Sequence, residues 1–179
     1  MAVTWVTADH HFGHGGKDGK HGVIEYCSRP FADVWKMDEA LVDAWNSVVS
    51  KGDTVYHLGD LTLGKDADIL WRLRGDIHIL AYPWHHDAKW LKVAAKYPIT
   101  LEPPIIVLKH EPPITLSHFP MVSWLASHHG SWHLFGHTHD RYRPDSLSMD
   151  VGVDAAYRLF GEYRPFAMEE VEEIMKGRT

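Results

Sequence analysis

Histidine and aspartate recur in short clusters along this chain, and both residue types are common metal ligands in proteins. The clusters are Asp9-His10-His11, Gly59-Asp60, His85-His86-Asp87, Ser117-His118 and Gly136-His137-Thr138-His139. In an extended segment the side chains of residues i and i+2 point to the same side. The acid–histidine pair of the first cluster and the histidine pair of the last can therefore each converge on one ion. Mixed nitrogen and carboxylate ligands favour Mn, Fe, Zn, Co or Ni over Mg or Ca.

Each cluster follows a short apolar run that predicts a β-strand. These runs cover residues 3–8, 54–58, 77–82, 114–117 and 132–135, and further strands are predicted over 99–101, 105–108 and 148–153. Helical spacing predicts helices over 37–49, 66–74, 88–97 and, after the last strand, 168–175. Asp33 and Asp38 are alternative caps for the first helix. The order of strands and helices predicts an α/β fold, in which ligands collect at the C-terminal ends of the strands.

Composition indicates one globular domain spanning residues 1–179, since 45% of the residues are hydrophobic and 23% are charged. The formal charge of −6 and the lack of a Lys/Arg run argue against a stable complex with nucleic acid. Cys27 is the only cysteine, so no intrachain disulfide is expected and a reducing cytoplasm is predicted. No apolar run has the length needed to cross a bilayer, so no membrane association is expected.

The order of the clusters resembles the calcineurin-like metallophosphoesterase family, whose pattern is Asp-x-His, Gly-Asp, Gly-Asn-His-Asp/Glu, a lone His, then Gly-His-x-His. The match runs from Asp9 to His139. A His-Phe-Gly-His loop at residues 11–14 and an Arg-Pro-Phe segment at residues 29–31 are similar to small bacterial and phage members. The resemblance implies a four-layer αββα sandwich of two mixed β-sheets flanked by helices.

The resemblance also implies a binuclear centre of two divalent transition metal ions, with Mn favoured and Fe, Zn, Ni or Co as alternatives. The first ion would be held by Asp9, His11 and His139, Asp60 would bridge, and His118 with His137 would hold the second. His86 would contact a substrate oxygen and stabilise or protonate the leaving group without binding metal.

One position departs from the family pattern. The family's Gly-Asn-His-Asp reads Trp84-His85-His86-Asp87 in this chain. His85 therefore replaces the asparagine that would give an oxygen ligand to the second ion. Histidine can ligate through nitrogen, so His85 remains a predicted ligand, and the second site would be more selective for transition ions.

Four further polar residues have predicted roles around the centre. His14 and Arg29 are candidates to bind the substrate phosphate; the alternatives are a solvated side chain for His14 and a surface ion pair for Arg29. Thr138 and Asp140 are candidates to orient the imidazoles beside them, because metal-bound histidines usually donate their second nitrogen to a partner.

Two ions joined by a carboxylate can activate water and clamp a phosphoryl group. The resemblance thus implies a binuclear phosphodiesterase that hydrolyses a small phosphate ester, such as a cyclic or short nucleotide, with metal-activated hydroxide. The alternatives are a phosphomonoesterase of the same fold and a catalytically weak metal-binding scaffold owing to His85. The natural substrate, the native metal and the oligomeric state stay open.

Overall fold

The computed structural model describes residues 2–15, 22–83 and 86–178, which form two mixed β-sheets flanked by helices. The first sheet contains, in spatial order, β4 (Ile99–Glu102), β3 (Asp76–Leu80), β2 (Thr54–His57), β1 (Thr4–Thr7) and β9 (Phe166–Ala167). Neighbouring strands among β1 to β4 are parallel, and β9 is antiparallel to β1. All carboxyl ends of β1 to β4 therefore lie along one edge of this sheet.

The second sheet contains β5 (Ile105–Leu108), β6 (Ile114–Ser117), β7 (Trp132–Phe135) and β8 (Ser148–Asp150), in that spatial order. β5 is antiparallel to β6, whereas β6, β7 and β8 are parallel. The α-helices are α1 (Val23–Tyr26), α2 (Val34–Val48), α3 (Val153–Phe160) and α4 (Met168–Lys176). Short 3₁₀ helices cover Asp68–Arg72, His86–Ala88, Trp90–Lys96 and Ser127–His129. Within the described ranges, no helix is both long and apolar enough to span a bilayer.

The first sheet is buried on both faces, which explains why its strands are nearly continuous apolar runs. On one face, Val55 and Ile77 pack in a cluster with residues of α2 such as Leu41 and Trp45. On the other face, side chains of the first sheet meet those of the second in a shared core that includes Val6, Leu58, Leu80, Leu116, Leu134 and Met149. The α/β fold of two packed mixed sheets is therefore confirmed.

Helix α2 begins three residues earlier than predicted because Asp33 is its N-cap. The Asp33 carboxylate accepts a hydrogen bond of 2.8 Å from the Lys36 amide. Asp38, the alternative cap, instead accepts hydrogen bonds of 3.1 Å from the Gly13 amide. Met37, Leu41 and Trp45 lie on the buried side of the helix, as their spacing predicts.

The predicted last strand over residues 148–153 is wrong in its second half. β8 ends at Asp150, Val153 begins α3, and the short strand β9 follows before α4. After β8 the chain passes close to the end of β1: Gly152 forms an isolated parallel bridge with Ala8, and a Cβ at Gly152 would lie 2.6 Å from Oδ2 of Asp9. The helices predicted over 66–74 and 88–97 are shorter 3₁₀ helices.

Burial of His133 should make the stability of the folded state depend on pH. Its imidazole is fully buried between the hydroxyls of Ser117 and Ser148, each 2.9 Å away, and burial lowers its pKa to about 4. Between pH 6.5 and pH 4, about the ordinary and the lowered pKa, His133 binds a proton in the unfolded chain but not in the folded chain. The folded state therefore loses stability as the pH falls from about 6.5 to about 4. We expect His133→Gln to reduce the stability lost between pH 7 and pH 4.5 by about 2 kcal/mol, measured by urea unfolding of chelator-treated protein.

The control for this test is His128→Gln, because His128 is exposed. It should keep the pH dependence of the parent protein. Equal pH dependence in His133→Gln and in the parent would contradict the expected role of burial at His133.

Candidate metal centre

The predicted ligands lie after the carboxyl ends of strands from both sheets. Asp9 and His11 follow β1, Asp60 follows β2, His118 follows β6, and His137 with His139 follows β7. Two groups form, each with ligand atoms within 4.8 Å of one another: Asp9, His11 and His139, and Asp60, His118 and His137. These are the two ligand sets that the family resemblance implies. Occupancy by metal stays a prediction.

Asp60 belongs to the second group and also lies beside the first. Its Oδ2 is 3.4 Å from Nε2 of His11 and 3.5 Å from Nε2 of His118. His11 belongs to the first group and His118 to the second, so one carboxylate oxygen is close to ligands of both. This is the position expected of a carboxylate that bridges two ions.

The backbone at these ligands is strained. The φ angles are 61° at Asp9, 54° at His11, 57° at Asp60, 69° at His137 and 48° at His139. The prediction that the pairs lie on extended segments is therefore wrong, although their side chains converge. A left-handed conformation costs a non-glycine residue on the order of 1 kcal/mol, and such strain concentrates at functional sites.

Two glycines are needed beside the ligands, because a side chain at either position would take the space that the ligands occupy. A Cβ at Gly136 would lie 2.5 Å from Cβ of Ala8 and 2.7 Å from Oδ2 of Asp9. At Gly59, φ is 119°, which disfavours any other residue, and a Cβ would lie 3.1 Å from the His118 ring. The glycines of the two motifs are thus steric requirements of the site.

The unsatisfied polar atoms of the first group fit a bound cation. Oδ2 of Asp9 accepts a hydrogen bond of 2.8 Å from the His137 amide, but buried Oδ1 has no hydrogen-bond partner among the described residues. The same holds for Nε2 of His11. Burial, with the nearby carboxylates of Asp150 and Asp60, raises the pKa of Asp9 well above its usual value. Burial lowers the pKa of His11, which keeps its imidazole neutral and able to ligate metal.

Asp154 orients the imidazole of His139, and the sequence interpretation missed it. The Asp154 carboxylate lies 2.7 Å from Nδ1 of His139, which leaves Nε2 to face the other ligands. Burial opposes ionisation of Asp154, but the hydrogen bond from His139 and the charge of Arg29 outweigh it, so its pKa is well below its usual value. The prediction that Asp140 and Thr138 orient the neighbouring imidazoles is wrong. Asp140 forms ion pairs with Arg143 and Arg158.

Thr138 donates its hydroxyl to Oδ2 of Asp150 at 2.5 Å. Asp150 also accepts hydrogen bonds from the amides of Asp140, at 3.0 Å, and Gly152, at 2.7 Å. These bonds hold the loop after His139 against the end of β8. Thr138 therefore shapes the loop that carries the ligands.

Arg29 lies beneath the site and cannot bind a substrate phosphate, contrary to the prediction. Its side chain is almost fully buried and forms a two-point ion pair with Asp154, at 2.8 and 2.9 Å. Its other donors reach the carbonyl oxygens of Asp9, at 2.7 Å, and His10, at 2.9 Å, and the sulfur of Met37. Arg29 therefore fixes the strained backbone of the first cluster and, through Asp154, the ring of His139.

A pocket of about 220 Å³ opens beside the predicted ligands, and His14, Val23, Tyr26 and His86 line it with them. The ring centroid of His86 is 5.1 Å from that of His11 and 5.7 Å from that of His14. His86 also lies within 4.8 Å of ligand atoms of His11 and Asp60. Both His14 and His86 are therefore at the pocket, where a substrate would enter.

His85, the predicted ligand that departs from the family pattern, lies outside the described residues, as does Trp84. Asp87, two positions later, is buried and has a structural role. It accepts hydrogen bonds from the amides of Leu61 and Thr62, at 3.0 and 3.1 Å, and from the indole of Trp90, at 2.7 Å. Asp87 thereby holds the turn that follows Asp60.

A larger cavity of about 470 Å³ lies elsewhere, beside Val3, Tyr56, His110 and Glu172. His110 contacts Glu172 at 3.1 Å there, and none of the predicted metal ligands lines this cavity. Volume alone therefore does not locate the chemistry. The smaller pocket is the candidate site because metal-ligating groups converge on it.

Three known proteins that resemble this chain have names that state no activity. It is 28% identical to the uncharacterized protein MJ1445 of Methanocaldococcus jannaschii, across all of this chain and 95% of that protein. It is 29% identical to the gene 66 protein of Mycobacterium phage L5, across 89% of this chain and 90% of that protein. A scan of protein-family models finds no match. The crystal structure of AQ665 from Aquifex aeolicus, a protein of unknown function, matches 97% of this chain and all of its own with a TM-score of 0.70 at 16% identity. This likeness supports the fold alone.

Removing the charge of Asp154 should weaken metal binding. We expect Asp154→Asn to lower the affinity of chelator-treated protein for Mn²⁺ and Zn²⁺ by about 10- to 100-fold, because the partner of His139 loses its charge. Isothermal titration with each ion measures the change, and circular dichroism checks that the variant is folded. The matched control is Asp140→Asn, which changes a carboxylate next to His139 that does not contact its ring. An equal loss of affinity in both variants would refute the assignment.

Adding one methyl group at Gly136 should disturb the fold and the site together. We expect Gly136→Ala to lower the free energy of unfolding by about 1 to 3 kcal/mol, because Ala8 and Asp9 must move. Urea unfolding measures the change. Gly52→Ala is the control, since no atom lies within 4 Å of a Cβ at Gly52. Equal stability of the two variants would argue against the steric role of Gly136.

Proposed function

We propose that this chain is a binuclear metal-dependent phosphodiesterase of the calcineurin-like metallophosphoesterase type, acting on small phosphate esters. The position of Asp60 carries the proposal. One of its oxygens lies within 3.5 Å of histidines that belong to two separate ligand groups. The motif order of the sequence adds independent support, because it assigns the same residues to the same two groups.

Two divalent transition ions, with Mn favoured and Fe, Zn, Ni or Co as alternatives, would supply Lewis acidity and an activated water when bound. Asp9, His11 and His139 would hold one ion, and His118 and His137 the other, with Asp60 between them. His85 would complete the second set. The mixture of imidazole and carboxylate donors is suited to these ions.

His86 is the candidate to stabilise or protonate the leaving-group oxygen. It is partly exposed in the pocket, near His11 and His14, whereas the ligands beneath it are mostly buried. His14 faces the same space, and burial together with His86 lowers its pKa. A neutral His14 can donate one hydrogen bond to a phosphoryl oxygen.

A small diester is the proposed substrate class because the family resemblance favours it, and the pocket of about 220 Å³ has room for a phosphoryl group with part of one substituent. The net charge of −6 gives no basis for binding a long nucleic acid. We place the reaction in the cytoplasm, in keeping with the single cysteine Cys27.

The activity test uses chelator-treated protein refilled with Mn, Ni, Zn or Mg. We expect metal-dependent hydrolysis of bis-p-nitrophenyl phosphate in preference to p-nitrophenyl phosphate, and we expect Asp60→Asn to abolish it. His86→Gln should lower kcat by about 10²- to 10⁴-fold, because a proton donor is lost. It should still bind two ions, measured by metal content, since His86 is assigned to the substrate.

Asp43→Asn is the control, because Asp43 is an exposed carboxylate on α2. It should keep full activity. A preference for the monoester would identify a phosphomonoesterase. Protein that binds two ions but hydrolyses neither ester would support the scaffold alternative, and recovery of activity in His85→Asn would attribute the loss to His85.

A further inference from the structure

Tyr26 is an exposed aromatic residue on the wall of the candidate pocket. It is the last residue of α1, and 61% of its surface is exposed. Its ring centroid lies 5.9 Å from that of His139, in an edge-to-face arrangement. Trp35 and Trp71 are equally exposed but do not line the pocket, so exposure alone does not distinguish Tyr26. Tyr26 differs from these residues because it lies next to a predicted metal ligand.

Arg141 holds the ring of Tyr26 in place. Its guanidinium carbon lies 3.9 Å from the ring centroid, and an N–H of the same group donates to the carbonyl oxygen of Tyr26. The loop that carries Arg141 is itself fixed, because the Arg141 amide donates to the carbonyl oxygen of Thr138 at 3.0 Å. Tyr26 therefore gives the pocket an aromatic wall, and the guanidinium of Arg141 lies against one face of that ring.

A fixed aromatic ring beside a phosphoryl site can stack on a planar ring in the organic part of a substrate. Base–aromatic stacking is sequence-tolerant, and truncation of the aromatic side chain costs about 1 to 3 kcal/mol per base, which corresponds to about a 5- to 150-fold loss. A guanidinium adds cation–π attraction and favours an anionic substrate over the otherwise acidic chain. Ring stacking would not help a substrate that carries only small alkyl groups, whereas the positive charge would attract any anionic diester.

We propose that Tyr26, positioned by Arg141, is the binding surface for a planar ring in the non-leaving group of a nucleoside or aryl phosphodiester. This inference rests on the proposed function and narrows its substrate class. Tyr26 is the residue that contacts the ring, and Arg141 positions Tyr26 and attracts the anion.

The test compares three diesters with the same p-nitrophenolate leaving group: thymidine 5′-p-nitrophenyl phosphate, phenyl p-nitrophenyl phosphate and methyl p-nitrophenyl phosphate. We expect the ratio of kcat/KM for the thymidine diester to that for the methyl diester to fall about 10-fold in Tyr26→Ala, through KM. Tyr26→Phe should keep the ratio, because the stacking ring remains. Arg141→Gln should lower the ratio about 2- to 5-fold. Trp35→Ala is the control and should leave the ratio unchanged.

A parallel loss with the phenyl diester would show that any planar ring is recognised, and a loss confined to the thymidine diester would show recognition of the nucleobase. An unchanged ratio in Tyr26→Ala would overturn the inference. If the parent protein hydrolyses none of the three, the proposed function fails, and calorimetric titration with thymidine 5′-monophosphate in the presence of Mn²⁺ decides the inference separately. Binding that Tyr26→Ala weakens about 10-fold supports the recognition surface, and equal or absent binding in both proteins overturns it.

Discussion

Burial of several carboxylates and histidines at one end of two packed sheets is the constraint on which the rest of this structure depends. An isolated charge in such a place is strongly unfavourable, so each group must be neutral, hydrogen-bonded or paired with a cation. Arg29 forms an ion pair with Asp154, and the amides of Leu61 and Thr62 donate hydrogen bonds to Asp87. Asp9 keeps one buried oxygen without a hydrogen-bond partner among the described residues. This unsatisfied oxygen supports the proposal that the site binds a divalent ion.

The same constraint explains why the backbone is strained at the predicted ligands. The ligands at φ angles near 60° direct their side chains inward from tight turns after the strands, and the core beneath must hold those turns. Arg29 does so by binding the carbonyl oxygens of Asp9 and His10, and Asp150 does so by accepting hydrogen bonds from Thr138, Asp140 and Gly152. Groups that do not touch a substrate thereby determine the geometry of those that would.

The site also divides into a buried floor and an exposed rim with different chemistry. The floor contains most of the predicted ligands, which are buried, whereas the predicted ligand His137 is exposed. Neighbouring residues fix the buried groups in one orientation, which suits metal binding and the proposed hydrolysis. The rim contains His14, His86 and Tyr26, which are more exposed, with Arg141 behind the tyrosine ring. A rigid floor with a variable rim is how one reaction centre can serve different substrates, because loops tolerate change better than the strands that carry them. In the proposed reaction, substrate choice would depend on the rim.

The sequence by itself determined the α/β class, the strands that carry the polar clusters and the two sets of predicted ligands, because these depend on local periodicity and on residues next to strand ends. Tertiary structure alone decided which groups support them. Asp154 lies in a helix far along the chain from Arg29, and only folding joins them; Asp140, adjacent to His139 in sequence, points to other partners. Arg29 is buried rather than at the pocket, and Tyr26 lies beside His139, for the same reason: packing between distant segments fixes the direction of a side chain, and no local pattern records it.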